Sequence, residues 1–182
     1  MYNFIHVPKI AGLSFLEIIK KHGDILINSG HTRIIDVHSI AFVKHPYDRL
    51  LDAYFYIMKG GRGGYSLDLE YQELLKPYTD FKNFVFSIVK DNLIEKIIHL
   101  RPMAYWLCDE EGKIIANRIF KIENIGDIDK FLAELGIEEK LSNIFVNMTY
   151  HDHYTDYLDA EVIAEINNLY SLDFELFGYK KL

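Results

Sequence analysis

Apolar positions along this chain follow two rhythms. Short unbroken apolar runs alternate with longer stretches in which apolar residues recur every three or four positions. The first run, 3–7, predicts a short buried strand. The stretch after it, 14–21, predicts a helix with Phe15, Ile18 and Ile19 on one face. "DILI" (24–27) predicts a second strand and "NSGHT" (28–32) a turn. "SIAFVK" (39–44) is apolar on both faces, as in a parallel sheet covered by helices. Pro46 stands where it opens a helix that continues through "YDRLLDAYFYIM", and the glycines of "KGGRGGY" (59–65) end it.

Downstream, "TDFKNFVFSIVKD" (79–91) has apolar residues at 81, 84, 85, 88 and 89, an amphipathic helix that Asp80 can cap. The stretch 104–125 predicts a β pair around a "DEEG" turn, followed by another strand. A short helix over 127–136 ends in glycine, and a last helix over 159–170 carries its stripe at 162, 163, 166, 169 and 170. No repeat, low-complexity segment or clear linker interrupts the pattern. Early strands alternating with helices indicate an α/β class and, at 182 residues, a single domain over 1–182.

Composition narrows the function classes. Twenty Lys plus Arg against 27 Asp plus Glu give a net charge of −7, which argues against a surface built for nucleic acid or an anionic membrane. One cysteine, Cys108, leaves no internal disulfide and no four-cysteine zinc site. No apolar run approaches the ~20 residues that span a bilayer. The start meets Pro8 and Lys9 too soon for a secretory leader, so a cytoplasmic location is expected.

The candidate chemistry begins at the first strand-to-helix junction. Lys9, a small-residue turn at Ala11 and Gly12, and Ser14 stand at a helix N-terminus, where free N–H groups and a partial positive charge favour an anion. Lys9 adds a point charge and Ser14 a donor. The order differs from G-x-x-x-x-G-K-[ST], because the lysine precedes the glycine. An ordinary strand-to-helix turn with an exposed lysine is the plainer reading. Lys44 follows the third strand, so two cations stand beyond the carboxyl ends of strands, where open α/β sheets bind ligands.

These segments resemble the carbohydrate sulfotransferases. "FIHVPKIAGLSF" is similar to their 5′-phosphosulfate loop, commonly H-x-P-K-T-G-G-T-S, and "FVKHPYDRLLDAYFY" to their 3′-phosphate segment, commonly V-R-N/D-P-x-x-R-L-x-S-x-Y. "HLRPMAYWL", "RIFKIENI", Asn147 and "LYSLDFELFGY" continue the resemblance in order. Gly30-His31 is similar to the Gly-His of the uronosyl 2-O-sulfotransferases. The resemblance implies a P-loop-type three-layer sandwich, with a central parallel sheet flanked by helices. It also implies transfer of a sulfuryl group from 3′-phosphoadenosine 5′-phosphosulfate (PAPS) to a hydroxyl of a carbohydrate or small-molecule acceptor, without a metal. In that scheme Lys9 is the electrostatic catalyst. Residues 10–14, including Ala11, Gly12, Leu13 and Ser14, hold the 5′-phosphate, and Lys44 holds the 3′-phosphate. His31 is the base that takes the acceptor's proton, having the intrinsic pKa for it.

The chain departs from the pattern at five places. Ile10 and Leu13 stand where threonines are usual, Ala11 replaces a glycine, Lys44 replaces an arginine and loses its bidentate fork, and Asp52 replaces a serine that helps bind the 3′-phosphate. Two rival readings follow: a non-catalytic or drifted nucleotide-binding P-loop module, and a P-loop kinase. Among weaker signals, "HDH" (151–153) reads as a solvated loop rather than a metal pair, for want of a third ligand. "KGGRGGY" reads equally as a mobile loop over the acceptor or a plain connection. His99 and Arg101 either line the acceptor pocket or end a helix. Glu123 is a possible second carboxylate, and Trp106 and Cys108 belong to the core.

Overall fold

A computed structural model describes residues 2–23, 26–30, 38–63, 65–144 and 151–182, with side chains left aside for 26–30. The elements run β1 (Tyr2–Ile5), α1 (Gly12–Ile19), β2 (Leu26–Gly30), β3 (Ser39–Val43), α2 (Pro46–Met58), α3 (Ser66–Leu75), α4 (Phe81–Lys90), α5 (Leu93–Lys96), α6 (Met103–Leu107), β4 (Arg118–Lys121), α7 (Ile125–Glu134), α8 (Ala160–Leu169) and α9 (Ser171–Leu176). The chain divides into two compact units, 1–44 with 103–148, and 45–102 with 149–182.

The first unit is built on a parallel four-stranded sheet in the order β2-β1-β3-β4. Parallel strands need both faces covered, and both faces of β3 are buried from Ser39 to Val43. Register puts Tyr2, Phe4, Phe42 and Phe120 on one face. There Phe15 of α1 packs on Phe4 and Phe42 at 4.9 and 5.0 Å between centroids, and Phe131 of α7 packs on Tyr2 and Phe120 at 5.4 and 5.3 Å. The Arg118 guanidinium lies 4.7 Å from the Phe131 ring centre. Two helices are thus fixed to one face by a continuous run of rings, each edge or tilt contact adding to plain area burial.

The second unit is helical. Its core gathers Leu50, Leu51 and Ile57 of α2, Phe84 and Ile88 of α4, and Val162 and Ile166 of α8, all at most 1% exposed. Capping follows the sequence closely. Asp80 accepts from the Asn83 N–H at 2.9 Å, and Asp159 accepts from the N–H groups of Glu161 and Val162 at 3.0 and 2.9 Å. Pro46 opens α2. The ring of His45, just before it, is surrounded by Tyr47, Tyr154, Phe174 and Tyr179 at 5.0–5.8 Å.

Three expectations are corrected. Asn28–Gly30 continue β2 rather than turning, because the ladder with β1 (Asn3↔Asn28, Phe4↔Ser29, Ile5↔Gly30) overrides their turn preference; residues 31 and 32 of that stretch lie outside the described residues, as do 24 and 25 of "DILI". Residues 103–107 form α6 and not a strand. What remains of the β pair is one antiparallel bridge, Cys108–Ile114, around a turn in which Asp109 accepts from the N–H groups of Glu111 and Lys113 at 3.0 and 2.8 Å. The stretches 66–75 and 171–176 add α3 and α9, which the apolar pattern did not indicate.

Candidate active site

The chain leaves β1 at Ile5 and enters α1 seven residues later, through a backbone that side chains rarely adopt. Lys9 has φ 67° and Ala11 φ 47°, ψ 13°, while Ile10 between them and Gly12 after them do not have positive φ. Alternation in the sign of φ is the backbone pattern by which successive N–H groups can form a concavity for an anion. The Phe15 N–H closes the first helical turn on the Ala11 carbonyl at 3.2 Å. Ala11 brings no side-chain cap to the donors of that turn, so the start of α1 is built from backbone alone.

Gly12 lies against His6: a Cβ there would meet the imidazole ring, which stacks on Phe4 at 5.6 Å and would have to shift. His6 thus packs between the strand end and the helix start, a part the sequence did not announce. The histidine two positions before Pro8 was the available signal. Ser14 is 1% exposed and Ile10 is 2% exposed, so Ile10 turns its side chain to the core, where threonine would be expected to offer a hydroxyl. Lys9 and Leu13 are half-buried.

Lys44 is the first residue beyond β3, which lies beside β1 in parallel register (Phe4↔Ile40, Ile5↔Ala41). Its backbone N–H points to the Met103 sulfur at 3.5 Å. The two lysines thus follow the carboxyl ends of adjacent parallel strands. Gly30, the last residue of β2, pairs with Ile5 at the same edge. His31, the expected base, lies outside the described residues, and so does Asn147.

Asp52 belongs to the helical unit, on α2. Its carboxylate is held by His151, Nε2 to Oδ1 3.2 Å, and both side chains are mostly buried. The Asp52 hydrogen bond holds the His151 pKa above the ordinary imidazole value, against the opposing effect of burial. Buried His151 corrects the solvated-loop reading of "HDH" in part. His153 of the same stretch is exposed and accepts from the Thr155 N–H. Among the described residues no group of three or more His, Cys, Asp or Glu side chains is arranged to hold a metal.

Arg49, 1% exposed, donates to the carbonyls of His99 (3.2 Å) and Arg101 (2.6 Å), with the Tyr170 ring 5.6 Å from its guanidinium carbon. The "HLRP" segment is thereby pinned by its backbone. The glycine loop after α2 is pinned too: Asp68 accepts from the Arg62 N–H and the Tyr56 hydroxyl at 3.1 and 2.9 Å, and Gln72 donates to the Met58 carbonyl at 2.8 Å. That favours the plain-connection reading of "KGGRGGY", whose Gly64 lies outside the described residues. Glu123 is exposed in the turn after β4, while Trp106 and Cys108 are buried as expected.

No helix among the described residues is long and apolar enough to cross a membrane. Comparison with curated proteins and with solved structures yields no match. A family model described as the sulfotransferase family matches residues 5–180, from the end of β1 to the C-terminal tail, and takes in residues 9–14, the Lys44 segment and the pinned "HLRP" stretch. On that match, the chain belongs to the sulfotransferase family.

Proposed function

We propose that this chain is a PAPS-dependent sulfotransferase of the carbohydrate type, acting on a sugar or small-alcohol hydroxyl as a single P-loop-type domain over 1–182. The observation that carries this reading is the left-handed backbone of Lys9 and Ala11, opening into α1 at the carboxyl edge of a parallel sheet, with Lys44 beyond the next strand. The donor supplies the sulfuryl group and leaves as adenosine 3′,5′-bisphosphate.

Residues 10–14 hold the 5′-phosphate with backbone N–H groups, aided by the Ser14 hydroxyl. The Lys9 ammonium meets the negative charge that builds on the bridging oxygen, a group in place before the reaction starts. Lys44 meets the 3′-phosphate as a point charge, without the two-pronged fork of an arginine. His31, next in sequence after Gly30, takes the proton of the acceptor hydroxyl, as in the uronosyl 2-O-sulfotransferases it resembles. Asp52, expected near the 3′-phosphate from the same resemblance, has its charge met by His151, which reduces the repulsion that a bare carboxylate would impose. The scheme asks for no metal and is placed in the cytoplasm.

Thermal shift decides between this reading and its rivals. Adenosine 3′,5′-bisphosphate at 100 times its Kd, with chelator present, should stabilise the protein by about 2.7 kcal/mol. Lys9→Ala should keep the fold and lose sulfuryl transfer from PAPS by on the order of 10²-fold or more. Stabilisation by Mg·ATP alone would make the chain a kinase, and stabilisation by neither would make it a non-catalytic module.

A further inference from the structure

His151 stands in the stretch that leads to α8, packed on α2. Its ring stacks on Phe55 at 5.6 Å and 20° and meets Tyr157 edge-on at 6.4 Å. Its side chain is 8% exposed. Nδ1 is 2.7 Å from the Asp152 carbonyl oxygen, and Nε2 is 3.2 Å from Asp52 Oδ1 and 3.9 Å from Asp48 Oδ1. Among the described residues, the groups that face it include two carboxylates of α2, a carbonyl of its own segment, the Phe55 ring of α2 and the Tyr157 ring of the 3₁₀ turn Tyr154–Tyr157.

A carbonyl oxygen accepts hydrogen bonds and never donates, and an ionised carboxylate does the same. With Asp52 ionised, both ring nitrogens carry hydrogen, which makes His151 an imidazolium. Asp48 and Asp52 stand one helical turn apart, a spacing at which like charges repel, and the cation between them and the loop offsets that repulsion. With both N–H groups committed, this histidine has no lone pair to offer as a catalytic base. Its chemistry is that of a fastener.

We propose that His151 is a proton-operated clasp: its imidazolium fastens residues 151–158 to α2, and loss of that proton to solvent in alkaline solution lets the segment open. On deprotonation one ring nitrogen becomes an acceptor facing an acceptor. Asp48 and Asp52 lose the imidazolium's positive charge in the same step. The sign follows from linkage: a group whose pKa is raised in the closed form contributes fully below the ordinary imidazole pKa, and the contribution is lost as pH rises through the raised value.

Two measurements on the whole chain test this together. The His151 Cε1 proton is titrated by NMR. Amide hydrogen exchange of residues 151–158, corrected for the intrinsic pH dependence of exchange, gives the opening constant across the same pH range. The expected midpoint lies above the ordinary imidazole value. The opening constant should rise between the acid and alkaline plateaus by about tenfold for each pH unit by which the midpoint is raised. Asp52→Asn should lower the midpoint and shrink the rise. His151→Gln, which holds no titrating proton, should make opening independent of pH. A midpoint at or below the ordinary value overturns the proposal. So does a pH-independent opening constant in the unaltered protein, or a pH-dependent one that survives His151→Gln.

Discussion

Ala11→Gly tests the geometry of the anion loop directly. Ala11 sits at φ 47°, ψ 13°, where its Cβ crowds the backbone. Such a conformation costs a residue with a side chain about 1–2 kcal/mol. Glycine removes that cost but makes the unfolded chain freer, which takes back about 0.4–1 kcal/mol. The difference favours Ala11→Gly by about 0–1.6 kcal/mol, or up to about 6 °C in Tm for a chain of this length. Ala164→Gly is the paired control. Ala164 is exposed in the middle of α8, with no left-handed backbone to relieve, so the same exchange should cost about 1 kcal/mol there. The assay is urea denaturation of both variants beside the parent. Should Ala11→Gly lose stability by as much as Ala164→Gly does, residue 11 carries no left-handed strain and the reasoning fails.

Two further substitutions probe the supports of the site. Gly12→Ala places a Cβ against the His6 ring and should destabilise by about 1–3 kcal/mol, with His6→Ala in the same chain restoring part of the loss; Tm values of the single and double variants check it. Arg49→Leu removes the buried donor to the His99 and Arg101 carbonyls and should cost about 2 kcal/mol or more in denaturant unfolding, whereas a loss below about 0.5 kcal/mol would show that the segment 99–101 holds without it.

Elements whose pattern is local were legible in the sequence. Asp80 and Asp159 announce α4 and α8 because a cap needs only the residues two or three positions ahead. β3 is legible because five consecutive buried residues leave no helical stripe. "AYWL" misleads because a short apolar run fits strand or buried helix alike, and tertiary context chose the helix α6. α3 escaped notice because its core face is short, Tyr71 and Leu75 with the carboxylate of Asp68, while Leu67, Leu69 and Leu74 are exposed and blur the stripe. In the candidate site, the order strand, lysine, small turn and helix was readable in the sequence. The cost at Ala11 was not, because a replaced glycine tells nothing of φ until the backbone is seen. The pairing of Asp52 with His151 was also hidden, since the two stand 99 positions apart and only the packing of residues 151–158 on α2 joins them.

The sheet that presents the anion loop is assembled from distant parts of the chain, and this has a consequence during synthesis. β3 emerges from the ribosome about seventy residues before β4, its partner. At 5–20 residues per second, that hydrophobic edge waits roughly 4–15 s for its neighbour. A strand so apolar invites pairing with other nascent chains during the delay. The interval before β4 arrives is where slowed elongation would do most harm to yield.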